Sequence, residues 1–337
     1  MQYWRRTTDI HKVRKGLHRM KAIIHLLLGT LSLMGCSPSA KSHDMAEGEG
    51  HSTACDEREL ALPEVPADLV SPRERAAYVL AHFWDSMDFS DTSRSLDTAF
   101  MEQNFANFAS LLPHVDADAV SAAAESVLKK AASCRAAYDF FMNIAEKYLY
   151  NPNSPMRDEI AYAGFADVAI SQNMLDEASR ARVEYQRECA LKNRAGSTAA
   201  DFTYERFDGS RGKLHDFCAG SALTLLLFYD LECETCHQTI EALASDDMLT
   251  SLASSGRLRV LAVYPDGEKE LWRRHASDMP KAWTLGIDYG NIEDRSLYAF
   301  PALPSLYLLD RSSKVLLKDA APQSLLMYLF ETTSRTS

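Results

Sequence analysis

The chain has 337 residues, of which 46% are apolar and 25% charged, with a formal net charge of −11 at pH 7. The length exceeds one average domain and points to two folded units plus processing segments, and the composition excludes a fibrous, disordered or polytopic membrane chain. Residues 1–35 hold seven of the 36 Lys and Arg and one of the 47 Asp and Glu, so the remainder carries 29 basic against 46 acidic residues, or −17. That balance argues against nucleic acid, whose phosphates require a basic face, and against electrostatic docking to anionic lipid.

Residues 1–36 read as a leader and signal peptide. Lys21 precedes an apolar run from Ala22 to Met34 that ends at Gly35-Cys36, and the run falls short of the ~20 residues a spanning helix needs. Residues 1–19 are polar and basic, whereas a chain starting at Met20 has a compact charged region before its apolar run, so Met20 is the expected start. Leu33-Met34-Gly35-Cys36 resembles a bacterial lipobox, with Met34 where a smaller residue is usual. The resemblance implies lipidation at Cys36 and attachment to the membrane by acyl chains. Ser37 in place of Asp implies, by the enterobacterial sorting rule, the outer membrane or another periplasm-facing place in the cell envelope. An ordinary signal peptide with a chance cysteine is the competing reading. Residues 37–70 are rich in Ser, Gly, Glu, Pro and Ala and are expected to form a flexible tether.

Residues 71–195 are expected to be all-helical. Apolar side chains recur at helical spacing, as in Ala77, Leu80, Ala81 and Trp84, and again in Phe100, Phe105, Phe108, Leu111 and Leu112. Ser71-Pro72-Arg73-Glu74 has the makings of a helix start, Asn151-Pro152-Asn153-Ser154-Pro155 breaks the pattern, and about five or six helices fit the span. The aromatic residues Phe83, Trp84, Phe89, Tyr138, Phe140 and Phe141 follow the helical period and so read as core rather than as a ligand cage. No chemistry is assigned to this unit.

From residue 196 to 337 the period changes. Residues 202–207 alternate, Asp208-Gly209 marks a hairpin turn, and residues 223–229 form a continuous apolar run expected as a buried central strand. A helix over 235–244 follows, then a strand over 258–264, a short helix near 267–276, strands over 283–287, 305–309 and 314–318, and a helix over 323–332. This is an α/β unit with a hairpin closing its sheet.

Cys233-Glu234-Thr235-Cys236 stands where the helix begins after the central strand, the setting in which a Cys-x-x-Cys pair carries information. There the first sulfur faces unpaired backbone N–H groups and the positive end of the helix dipole, which favour a thiolate and make Cys233 the expected attacking sulfur. Two intervening residues bring the second sulfur within bonding reach, so Cys236 can resolve a mixed disulfide. Glu232 and Glu234 oppose negative charge on Cys233, which predicts a potential toward the reducing end.

The segment from Asp201-Phe202 to Pro304-Ser305 resembles the thioredoxin-like thiol–disulfide oxidoreductases of the bacterial envelope. The marks are Ala200-Asp201-Phe202, Leu225-Leu226-Leu227-Phe228-Tyr229, Cys233 with Cys236, and Leu303-Pro304-Ser305-Leu306-Tyr307-Leu308-Leu309-Asp310. The resemblance implies a central mixed sheet flanked by helices, a redox-active Cys233–Cys236 disulfide, and a cis Leu303–Pro304 bond beside it with Leu303 lending its backbone to substrate. With Tyr264-Pro265-Asp266 and Met279-Pro280 included, the whole chain is similar to Bacteroidetes-type lipoproteins that join a helical domain of unknown function to a thioredoxin-like domain. In four places the chain departs from the pattern: no Trp precedes Cys233, no Pro separates the cysteines, Thr239 replaces a glutamate, and Leu227 fills the buried strand position where thioredoxins keep an acid. Asp230 or Glu232 could replace that acid in proton transfer, although an exposed solubilising carboxylate is the plainer reading of either.

The expected function is therefore thiol–disulfide exchange with protein thiols or disulfides in the envelope, without a cofactor and from an undetermined electron donor. Two other readings stay open. Cys233-Glu234-Thr235-Cys236-His237 also satisfies the c-type haem attachment pattern, and the fold could serve as the scaffold of a non-catalytic binding module. His215 and Cys218 are too few for a zinc site, and Cys55, Cys134, Cys189 and Cys218 have no readable pairing.

Overall fold

Short polar side chains set where the helices begin. In the computed structural model, which describes residues 59–288 and 291–334, the first unit runs through α1 (Pro72–His82), α2 (Thr92–Ser95), α3 (Thr98–Ala109), α4 (Ala117–Ala131), α5 (Arg135–Ala145), a π-helical turn (Glu146–Tyr150), α6 (Glu159–Gln172) and α7 (Glu177–Leu191). The carboxylates of Asp91, Asp97, Asp116 and Asp158 accept backbone N–H groups at the starts of α2, α3, α4 and α6, satisfying donors that the first turn leaves unpaired. Ser71 occupies the cap of α1 with Pro72 in its first turn, yet its side chain makes no capping bond. The described residues hold more helices than apolar spacing implied, because α2 is a single turn defined by its aspartate cap and carries almost no periodicity.

The aromatic residues of this unit form its core. Phe83, Trp84, Phe89, Tyr138 and Phe141 are buried, and Phe140 is half-buried against them. Phe141 meets Trp84, Phe89, Phe105 and Phe165 with ring centroids 5.3–6.1 Å apart, within the range where edge and tilted aromatic pairs gain energy beyond area burial. Two residues of the segment 59–70 also join this core: Leu60 is buried, its N–H donates to Asn104 Oδ1 at 2.8 Å, and Val65 packs alongside. Two apolar anchors thus bind the end of the segment that composition marked as tether. The segment expected as a signal peptide, the expected lipidation position Cys36, Cys55 and residues 37–58 lie outside the described residues.

The chain divides into two compact units between Arg187 and Glu188, so that the last four residues of α7 fall in the second unit. The second contains β1 (Thr203–Arg206), β2 (Arg211–Lys213), α8 (Leu214–Cys218), β3 (Leu223–Phe228), α9 (Glu234–Ala244), α10 (Asp247–Ser254), β4 (Leu258–Tyr264), α11 (Lys269–His275), β5 (Thr284–Ile287), α12 (Asn291–Asp294), β6 (Ser305–Asp310), β7 (Val315–Leu317) and α13 (Pro322–Ser334). Its seven strands lie in the order β2-β1-β5-β4-β3-β6-β7. Strands β3, β4 and β5 are parallel, β6 is antiparallel to β3, and hairpins β1–β2 and β6–β7 complete the two edges. The turn at Asp208-Gly209 holds Gly209 at φ 82°, a conformation glycine adopts without steric cost.

Both faces of the sheet are covered, which explains the unbroken apolar run in β3. Leu225, Leu227 and Tyr229 enter one core with Cys236, Ile240 and Leu243 of α9, while Leu226 and Phe228 enter the other with Tyr204, Tyr298 and Tyr307. The alternation follows the two-residue period of a strand. It also places α9, and with it the Cys-x-x-Cys pair, over the face to which Leu227 points. The helices α8, α10 and α12 were not apparent from spacing because, at five, eight and four residues, they are too short to show a helical period.

Candidate active site

The chain leaves β3 buried at Tyr229, turns through Asp230-Leu231-Glu232, and enters α9 with Cys233 as its N-cap. The turn is held by the Asp230 carboxylate, which accepts the Glu232 N–H at 2.8 Å. Cys233 is half-exposed and Cys236 fully buried, both as free thiols. The Cys233 sulfur accepts the Cys236 N–H at 3.2 Å, one of the donors that a helix start would otherwise leave unpaired.

Seventy residues further along, the segment before β6 returns to the same place. The Leu303–Pro304 peptide is cis, and the Cys233 thiol points to the Leu303 carbonyl oxygen at 3.7 Å. Cys233, Cys236, Leu303 and Pro304 therefore lie at one end of the sheet, where β3 ends and β6 begins.

The two sulfurs differ sharply in surroundings. Burial pushes the Cys236 thiol up to about 12, reinforced by the neighbouring Cys233 and only partly offset by the Asp230 N–H, which donates toward it. Apolar Leu227 in the same core supplies no compensating polar group. Such a thiol stays protonated unless a base takes its proton.

The structure separates the two carboxylates considered for that task. Asp230 is half-buried and acts on both Cys236 and Tyr264; burial, with Asp266, Asp230 and Glu268 next in influence, pushes Tyr264 up to about 12. Glu232 is exposed, with its backbone tied to Asp230. Tyr264, at the end of β4, was not apparent from sequence because its proximity to Asp230 depends on β4 lying beside β3.

His237 is exposed on α9. His215 is engaged within the fold, its Nε2 2.8 Å from the Ala199 carbonyl oxygen, and Cys218 is buried nearby. Among the described residues there is no cluster of three or more His, Cys, Asp or Glu placed to hold a metal ion, and no helix long and apolar enough to cross a membrane.

Residues 35–193 match a domain of unknown function (DUF5106). The structure is similar to that of a thioredoxin-like protein from Bacteroides caccae, at 33% identity over 80% of this chain and 97% of that one, with a TM-score of 0.74. The chain is similar to the C-terminal domain of an uncharacterized protein from Bacteroides fragilis, at 38% identity over 42% of this chain and 99% of that one, with a TM-score of 0.40. It is also similar to the thioredoxin domain of a thiol-disulfide oxidoreductase from Bacteroides vulgatus, at 19% identity over 41% of this chain and 97% of that one, with a TM-score of 0.37. No curated protein matches the chain.

Proposed function

Because this chain belongs to the thioredoxin-like proteins, we propose that it is a thiol–disulfide oxidoreductase working through Cys233 and Cys236. The observation that carries this reading is the asymmetry of the pair: one sulfur half-exposed at a helix N-cap beside the Leu303 carbonyl, the other buried directly behind it.

The exchange proceeds in two steps. The Cys233 thiolate attacks one sulfur of a substrate disulfide, forming a mixed disulfide and expelling the other substrate sulfur as thiolate. Cys236 then loses its proton and attacks Cys233, releasing the second substrate sulfur and closing the Cys233–Cys236 disulfide; two electrons pass to the substrate. Asp230 is the proton acceptor in this scheme, being a half-buried carboxylate in the turn before Cys233 whose own backbone N–H points toward Cys236. Leu303, with Pro304 behind it, offers backbone beside the attacking sulfur. Glu232 and Glu234 flank Cys233 with negative charge, which supports a role on the reducing side. The partners are protein disulfides or thiols of the cell envelope, reached from a lipid anchor at Cys36.

The test is to equilibrate the protein with glutathione buffers and read the pair by the mass added on thiol alkylation, alongside trapping by Cys236→Ser. Reversible interconversion, and mixed disulfides accumulating through Cys233 in the variant, support the reading. A pair that reacts only after unfolding would leave a binding module on this scaffold as the function.

A further inference from the structure

We infer that a groove along the redox helix receives the part of the substrate polypeptide flanking its cysteine, and that it selects apolar residues accompanied by basic ones. This rests on the proposed exchange at Cys233 and names its substrate class.

The groove has a volume of about 610 Å³, in the range of sites that enclose several side chains or a small ligand. One wall is α9 itself, through His237, Ile240, Glu241 and Ala244. These residues stand four, seven, eight and eleven positions after Cys233, the spacing that places side chains on one face of a helix. The groove therefore follows the same helix face that begins at the attacking sulfur. Its other wall is Met279 and Pro280, and Tyr229 and Leu231, at the end of β3 and in the turn before Cys233, complete the lining. A peptide joined to Cys233 needs only to continue along the helix to enter it.

Two features define the occupant. The lining between the walls is apolar, with Ile240 nearly buried and Met279 packed against the core, so it favours aliphatic or aromatic side chains. The full charges along the path are carboxylates: Glu241 and Asp278 line the groove, Glu232 and Glu234 flank Cys233, and no Lys or Arg is among the lining residues. His237 and His275 are the nitrogen bases present, and His275 already faces Asp278 at 3.7 Å. A basic residue next to the apolar stretch meets complementary charge, and an acidic one meets repulsion.

The test uses full-length protein carrying Cys236→Ser and cysteine peptides activated as mixed disulfides with 2-thiopyridine. Attack by Cys233 breaks the peptide–thiopyridine S–S bond, joins the peptide to Cys233 and releases thiopyridone, whose absorbance gives the rate. Three peptides differ only in the four residues flanking cysteine: apolar with Lys, apolar with Glu, and Gly-Ser. Each rate is divided by that of dipyridyl disulfide with the same protein, which removes general effects on the thiol. The apolar–basic peptide is expected to lead each of the others by about tenfold. Ala244→Arg, which fills the groove, is expected to reduce the lead over Gly-Ser to about twofold, and Glu241→Lys to shift preference toward the acidic peptide. Equal normalised rates for the three peptides, or a preference that survives Ala244→Arg intact, would overturn the groove's role while leaving the exchange chemistry standing. Absence of reaction even with dipyridyl disulfide would instead remove the exchange reading and this inference with it.

Discussion

The thiol of Cys233 faces the carbonyl oxygen of Leu303 at 3.7 Å, a contact made across seventy residues of chain. It sets the half-buried sulfur against the backbone that leads into β6, while Cys236 sits behind it in the core shared by Leu227 and Tyr229. Accessibility and proton affinity thus fall on different sulfurs of one pair.

In the reduced, folded protein, iodoacetamide is expected to modify Cys233 and leave Cys236 untouched, as read by peptide mass. The stability of the reduced form should also depend on pH through Cys236. Its folded value of about 12 lies above the ordinary 9.0, so above that ordinary value the native state holds a proton that the unfolded chain has released. Stability from this group is complete below pH 9.0 and declines as pH rises toward about 12. Urea titrations of wild type and Cys236→Ser over this window isolate the effect from the buried tyrosines, which titrate in both proteins. Parallel pH profiles for the two would contradict the burial of the thiol.

Asp230→Asn should slow resolution of the Cys233 mixed disulfide by about a hundredfold or more, the scale of a lost general base, with little change in the alkylation of Cys233. Glu232→Gln should leave resolution within about twofold, since that carboxylate is exposed. Stopped-flow release of substrate thiol distinguishes the two. Equal effects would remove Asp230 from proton transfer.

Tyr204 is buried across glycines on both neighbouring strands: a Cβ at Gly212 would lie 2.7 Å from its Cζ, and one at Gly286 would lie 2.8 Å from its Cδ2. Gly286→Ala must displace the base of a packed ring, at an expected cost of about 1–3 kcal/mol. Equilibrium denaturation measures it, and a neutral or stabilising outcome would show that the ring has room to move.

In the helical unit, Phe141→Ala should destabilise by about 3–5 kcal/mol because the ring is fully buried among four others. Phe140→Ala, at a half-buried neighbour, should cost less than half as much. The ratio of the two denaturation shifts is the check; similar losses would mean that the helical face is not divided as described.

Much of this protein is determined locally. Apolar residues at helical spacing place Phe83, Trp84 and Phe141 in one core, and the continuous run at β3 marks a strand covered on both faces, because a residue's direction from the backbone follows from its position in a helix or strand. Cys233 and Cys236 are legible as a pair for the same reason: three positions at a helix start bring two side chains together whatever surrounds them. The tertiary structure decided what depends on distant segments meeting. Leu303, set beside the cysteines by family resemblance alone, reaches Cys233 because β6 pairs with β3; Asp230 is half-buried and Glu232 exposed because of the path of the turn before α9; and the groove needs Met279-Pro280 brought opposite α9. Such meetings depend on loop paths and strand order rather than on local conformational preference, and neither residue of a meeting pair carries a mark of the other in its own neighbourhood of the chain.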